Sequence, residues 1–228
     1  MRQEKQAPVK NILLVWVAGV DEAGRGPIAG PVVAACVVLP HGYSIAGVAD
    51  SKQLSAAQRE RLFARIQREA VAWAIGIASP REIEQLNILQ ASLLAMRRAV
   101  LRLSLTPQCV LIDGQFCIPR LNLPQRAIVG GDTQEACIAA ASVLAKVTRD
   151  RIMAELDRLY PQYGFAQHKG YPTPLHLERL LQYGACPAHR RTYAPVAQLS
   201  LCTARAETDG CFVGEDADAT RCGLDTLV

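Results

Sequence analysis

The sequence predicts an α/β sandwich, a mixed β-sheet flanked by helices. Three observations predict it. Two valine-rich apolar runs, Ile12 to Val20 and Ile28 to Leu39, come early and are joined by a short charged turn. Stretches with helical apolar spacing then interleave with shorter apolar runs, an alternation that sets helices on the faces of a sheet. Half of the 228 residues are hydrophobic but only 5% are aromatic, so the core has to be built from Val, Leu, Ile and Ala.

Residues 11–20 and 29–39 read as strands, close enough in sequence to form a hairpin. Ser55 is placed to cap a helix over 56–70, with Leu62, Phe63 and Ile66 on its apolar face. A third strand is expected at 71–78. A helix is expected at 87–103, with Ile88, Leu89, Leu93, Leu94 and Met96 at mixed helical spacing. Cys109 to Ile112 is a short apolar strand, and Ala127 to Val129 another. A long helix is expected over 134–158 and a further one over 174–183. No segment repeats, and residues 1–195 read as one domain. Residues 196–228 lack periodicity and are acidic, the composition of a mobile tail.

Charge is distributed unevenly. The segment from Val196 holds Glu207, Asp209, Glu215, Asp216, Asp218 and Asp225 against Arg205 and Arg221. That leaves −4 on the tail and +8 on residues 1–195, for the formal net charge of +4. A basic body suits either a solvated surface or a polyanionic partner. The apolar runs are shorter than the roughly 20 residues a membrane span needs, so no membrane is expected. Met1 to Lys10 is polar and does not read as a signal peptide. Eight cysteines stand at 36, 109, 117, 137, 186, 202, 211 and 222, with no Cys-x-x-Cys and no zinc-finger spacing. Reduced thiols in the cytoplasm are expected.

Carboxylates recur where apolar runs end. Asp21 and Glu22 close the first run; such a pair is either solvated or mounted rigidly for chemistry. Asp113 closes another run, and Asp113-Gly114 equally suits a turn. Asp132 precedes the long helix, and with Glu135 three residues on it equally suits a capping box. Asp150, four residues after Lys146, suits an ion pair along one helix. Gly24-Arg25-Gly26 is either a plain hairpin turn or bare backbone that a ligand can approach closely. Tyr171 lies in Lys169-Gly170-Tyr171-Pro172. Lys146, Arg149, Lys169, His189, Arg190 and Arg191 suit a solvated surface or a phosphate track. His168 and His176 have no partner at metal-ligand spacing.

Together these segments resemble ribonuclease HII, the type 2 ribonuclease H family. The carriers are Val17-Ala18-Gly19-Val20-Asp21-Glu22-Ala23-Gly24-Arg25-Gly26-Pro27, then Val110-Leu111-Ile112-Asp113-Gly114. Gly131-Asp132 with Ile138 to Asp150 follows, then His168-Lys169-Gly170-Tyr171 with His176, then His189-Arg190-Arg191. In order and spacing the resemblance covers about residues 11–195. It implies a ribonuclease H-like fold with a helical C-terminal extension, and a catalytic domain over 1–195. It implies that Asp21, Glu22, Asp113 and Asp132 form one acidic cluster. Converging carboxylates repel, by about 4 kcal/mol for one pair at about 4 Å and an effective dielectric of about 20. Oxygen ligands favour Mg2+ or Mn2+, two ions in the substrate complex. The implied reaction is hydrolysis of the RNA strand of RNA/DNA hybrids and cleavage 5′ to ribonucleotides embedded in duplex DNA. The products carry 5′-phosphate and 3′-hydroxyl ends. Gly24, Arg25 and Gly26 would read the 2′-hydroxyl and Tyr171 the neighbouring sugar. Lys146, Arg149, Lys169, Arg190 and Arg191 would track phosphates. The expected partner is nucleic acid, and the expected state a cytoplasmic monomer. The chain departs from many relatives at Thr133-Gln134-Glu135, where some carry a basic residue.

Other classes fit less well. Gly19-x-x-x-x-Gly24 opens like a phosphate-binding loop, but Arg25-Gly26 replaces Lys-Ser/Thr. Gly24-x-Gly26 lacks the dinucleotide-binding spacing and precedes a strand. A non-catalytic hybrid-binding protein on the same fold is opposed by intact acids at all four positions. A ribonuclease HIII-like enzyme would share the acidic cluster but usually carries an extra N-terminal domain, for which a first strand near residue 11 leaves no room.

Overall fold

The computed structural model describes residues 15–43 and 55–199. Its strands are β1 (Val17–Ala23), β2 (Val32–Val38), β3 (Ala72–Ala78), β4 (Cys109–Asp113) and β5 (Gln125–Ile128). They form one mixed sheet in the order β3-β2-β1-β4-β5. β2 runs antiparallel to β1 and β3, whereas β4 is parallel to both β1 and β5. Helices are α1 (Ala56–Glu69), α2 (Pro80–Leu86), α3 (Ile88–Leu101), α4 (Ala136–Leu159), α5 (Phe165–His168) and α6 (Pro174–Tyr183). Residues 194–199 form a seventh, α7.

Local chemistry starts the helices where the sequence suggests. Ser55 accepts from the Gln58 N–H while the Gln58 side chain accepts from the Ser55 N–H, a complete capping box for α1. Ser79 and Glu82 do the same for α2, with Pro80 in the first turn. That helix is absent from the sequence reading, because seven residues are too few to show a period. Asn87, at φ 67°, breaks the chain between α2 and α3.

The sheet is sandwiched. Val32, Ala34, Cys36 and Val38 of β2 face the α3 side, and Ala35 and Val37 face α1 and α4. β2 is buried on both faces, which is why it reads as an unbroken apolar run. On β1, Ala18 and Val20 join the α3 side. Gly19 lies against the start of α4, where a Cβ would come within 2.2 Å of the Cys137 carbonyl carbon. Only glycine lets the helix lie that close.

Two boundaries differ from expectation. β1 continues through Asp21 and Glu22 to Ala23, because β2 offers ladder partners as far as Val33. The carboxylates therefore sit within the strand rather than after it; residues 11–14 lie outside the described set. Packing also continues past residue 195. Val196 of α7 is fully buried with Ile28 and Leu180, and the described chain ends at Leu199. The expected mobility of 200–228 concerns residues outside the described set. Among the described residues no helix is long and apolar enough to cross a membrane.

Candidate active site

Parallel pairing builds the site. The ladder sets Val20 of β1 beside Ile112 of β4, so the next step brings Asp21 beside Asp113. Asp113 in turn pairs with Ile128 at the end of β5. The chain leaving β5 makes a tight 3-10 turn, Gly131–Thr133, that carries Asp132. Three adjacent parallel strands thus deliver their acids to one carboxyl-end edge, the usual place for a ligand in an open α/β sheet. The Gly131 N–H donates to Asp113 Oδ1 at 2.8 Å, tying the Asp132 turn to Asp113. Asp132 is buried, and it does not cap α4, whose N-cap is Glu135. The cross-strand neighbours of Asp21 and Glu22 are Ala35 and Ala34, small enough to leave the carboxylates room.

Electrostatics single out Asp21. Burial, then Glu22, then Asp113 push its carboxyl well above the usual range. Burial also raises Glu22, opposed by Arg25. Each acid has turned to a partner of its own. Asp21 accepts from the Glu22 N–H at 2.6 Å and from Ser142 of α4. Glu22 Oε1 meets Arg25 Nη1 at 3.2 Å. So turned, no three Asp, Glu, His or Cys groups among the described residues converge tightly enough to grip an ion. The donor chemistry still suits a hard cation: all oxygen, half-buried to buried, and with like charges that a cation would relieve.

The Gly24-Arg25-Gly26 turn lies directly beyond these acids. Gly24 has φ +100°, and a Cβ there would lie 2.1 Å from Arg149 Nε. Gly26 is different: its Cβ would meet only the Tyr171 ring, at an ordinary 3.5 Å. Turn and tyrosine are therefore neighbours. Tyr171, Glu22, Ser142 and Lys146 line a cleft of about 340 Å3 that Arg59 of α1 completes. Arg59 is absent from the sequence reading, since nothing local tells which way α1 crosses the sheet. A larger groove, about 700 Å3 and floored by Trp73, Ile75 and Ile77, holds none of the four acids.

The family model for ribonuclease HII matches residues 18–196, a span that runs from β1 through the acids and Tyr171 into α7. The chain belongs to the ribonuclease HII family. It is 52% identical over 198 residues to a ribonuclease HII of Desulfitobacterium hafniense, covering 87% of this chain and 75% of that one. It is 54% identical over 187 residues to a ribonuclease HII of Polynucleobacter necessarius, covering 80% and 94%. The crystal structure of ribonuclease H2 from Pyrococcus horikoshii has a TM-score of 0.72 at 30% identity, covering 84% of this chain and 100% of that one. Bst-RNase HIII in complex with Mn2+ has a TM-score of 0.69 at 16% identity over 89% and 77%, a likeness of fold. As a ribonuclease HII family member the chain is a nuclease of the ribonuclease H type. The non-catalytic alternative gives way.

Not every basic residue expected at the substrate is there. Arg149 and Arg190, which the ribonuclease HII resemblance suggested for phosphates, are 1% and 0% exposed. Their guanidinium groups go to interior carbonyls: Arg149 to Pro31, Lys169 and Ala29, Arg190 to Gly30, Arg25 and Gly24. Burial lowers Arg149 to about 10, which leaves it charged at neutral pH. Lys146 lines the cleft and pairs with Asp150 at 2.6 Å, the helical ion pair the spacing suggested. Arg25 and Arg191 are exposed, and Lys169 is half-buried.

His189 is also interior. It joins His176 and His168 in a buried cluster of rings. His176 Nδ1 donates to the Tyr171 carbonyl at 2.8 Å, which leaves its Nε2 to accept from His189 Nε2 at 3.0 Å. His189 Nδ1 then accepts from the Cys186 N–H at 3.1 Å. His168 stacks on His176, with centroids 4.2 Å apart, and its Nε2 donates to the Tyr163 carbonyl. These rings hold the backbone of Tyr171, a role with no sequence signal beyond the residue type.

Proposed function

We propose that the chain is an endoribonuclease that hydrolyses the RNA strand of RNA/DNA hybrids and cuts 5′ to single ribonucleotides embedded in duplex DNA. The observation that carries this reading is the edge where β1, β4 and the β5 turn gather Asp21, Glu22, Asp113 and Asp132, with the Gly24–Gly26 turn and Tyr171 beside them. Two divalent cations, Mg2+ or Mn2+, held among those four acids would supply activation of water and stabilisation of the leaving oxygen. The remaining steps belong to the chain. Asp21 and Asp113 stand on paired strands and the Gly131 N–H ties the Asp132 turn to Asp113, so turning the side chains together would form the acidic cluster. Arg25 is half-exposed and pairs with Glu22 at 3.2 Å, so it can exchange that carboxylate for a phosphate. The N–H groups of Arg25 and Gly26 have no acceptor among the described residues and are open to a 2′-oxygen. Tyr171, 47% exposed beside Gly26, offers its ring to the adjoining sugar. Lys146 and Arg59 line the cleft and supply positive potential there, and Lys169 and the exposed Arg191 would meet phosphates farther along the duplex. We infer a monomer working in the cytoplasm; the five described cysteines are free thiols.

The test is a labelled DNA duplex bearing one ribonucleotide, incubated with Mg2+ or with chelator. The expected product is a single cut 5′ to the ribonucleotide, with 3′-hydroxyl and 5′-phosphate ends, absent in chelator. A cut on the 3′ side, or cleavage in chelator, would overturn the reading.

A further inference from the structure

Arg190 is fully buried, and its hydrogen-bond acceptors are carbonyls and a hydroxyl rather than carboxylates. Nη2 donates to the Gly24 carbonyl at 2.5 Å, Nη1 to the Arg25 carbonyl at 2.9 Å and Nε to the Gly30 carbonyl at 2.9 Å. Tyr193 stands over the same turn. Its hydroxyl donates to the Arg25 carbonyl at 2.8 Å and accepts from Arg190 Nη1 at 3.1 Å. The carbonyls of Gly24 and Arg25 are thus both taken by one short segment near the C-terminal end of the fold.

An ordinary hairpin turn needs no such support. Burying a guanidinium away from water and from any carboxylate is costly, and the cost is offset here only by the carbonyls it holds. With those two carbonyls taken, the N–H groups of Arg25 and Gly26 are among the polar groups of the turn that have no partner among the described residues. The position of the turn is set by a buried arginine and a half-buried tyrosine, neither of which lines the cleft.

We propose that Arg190 and Tyr193 are positioning residues, clamping the Gly24 and Arg25 carbonyls so that the turn meets the ribose 2′-oxygen in one fixed place. This rests on the reading of the site as one that selects ribonucleotides. Loosening the clamp shifts the turn relative to the acids. It therefore acts on alignment in the reacting complex more than on affinity, which phosphate contacts dominate.

Tyr193→Phe is the discriminating variant. It removes one hydroxyl, keeps the ring beside the Arg190 guanidinium at 5.1 Å, and keeps the Tyr193 carbonyl that accepts from Val196 and Ala197 at the start of α7. Arg190→Lys keeps the charge but loses the planar fork. The full chain is assayed with Mg2+ on duplexes carrying one ribonucleotide or one 2′-fluoro nucleotide, whose fluorine accepts weakly, alongside thermal melting. For Tyr193→Phe the expected result is a melting temperature lower by no more than about 4 °C, an unchanged KM, and a kcat on the ribonucleotide lower by about three- to tenfold, the net worth of the two hydrogen bonds its hydroxyl makes. The rate ratio between the two substrates should shrink, which a purely structural role would not cause. Arg190→Lys should lose more of both. Wild-type kcat and ratio in Tyr193→Phe, or a melting temperature lower by more than about 4 °C, overturn the clamp alone. A wild-type chain that cuts both substrates equally overturns the ribose-selecting reading as well.

Discussion

Gly24 and Gly26 look equivalent in sequence, and alanine substitution should separate them. At Gly24 the added methyl would lie 2.1 Å from Arg149 Nε and 2.8 Å from the Pro31 carbonyl oxygen, on a backbone at φ +100°. A non-glycine residue in that left-handed region costs about 1–2 kcal/mol. Displacing Arg149 also breaks its three bonds to Pro31, Lys169 and Ala29, at about 1 kcal/mol each. The sum, about 4–5 kcal/mol, lowers the melting temperature by about 8–20 °C in a chain of this size. At Gly26 the methyl meets only the Tyr171 ring at 3.5 Å, so Gly26→Ala should melt as wild type does. It nevertheless fills the space between the turn and the tyrosine where the ribose would enter. Its kcat/KM on an embedded ribonucleotide should fall by at least about tenfold, equivalent to about 1.4 kcal/mol. Calorimetric melting and steady-state cleavage of both variants make the test. Gly24→Ala melting within about 2 °C of wild type would refute the packing argument. Gly26→Ala with wild-type kcat/KM would refute the placement of substrate at the turn.

Asp21→Asn should abolish turnover while hybrid binding stays within about tenfold, because phosphate contacts supply most of the affinity. In chelator at neutral pH it should also melt above wild type. The Asp21 carboxyl is raised by burial and then by Glu22 and Asp113, so its charge costs stability as pH rises above the ordinary 3.8; the gap should close below that pH, and equal melting at neutral pH would contradict it. Tyr171→Ala leaves the acids in place and should lose more activity on a single embedded ribonucleotide than on a continuous hybrid; equal losses in kcat/KM would reduce the tyrosine to general binding. Burial holds His176 and His189 down at about 4 against an ordinary 6.5, so both stay neutral in the fold while the unfolded chain takes up protons. Stability should be full above pH 6.5 and fall towards pH 4, by up to about 3 kcal/mol for one ring; a melting temperature flat between about pH 6.5 and 5 would contradict this.

The sequence by itself determined whatever is local. Ser55 and Gln58 announce α1 because a cap and its partner lie within one turn. The apolar run of β2 announces a strand buried on both faces. Asp21, Glu22 and Asp113 were legible as acids at the ends of apolar runs, and the motifs that contain them were specific enough to name a family. The tertiary structure alone decided what depends on distant chain. Asp21 and Asp113 become neighbours only through the parallel β1–β4 register, which no local pattern encodes. α2 was too short to announce itself, and Arg59 enters the cleft only because of how α1 crosses the sheet. Arg149, Arg190 and His189 look like surface cations in sequence, yet they are interior. A guanidinium can be buried only where enough carbonyls converge on it, and the Arg25 carbonyl that receives Arg190 comes from 165 residues earlier. Residue type sets what a side chain can do chemically, while its surroundings, assembled by the fold, set whether it meets substrate or holds the residues that do.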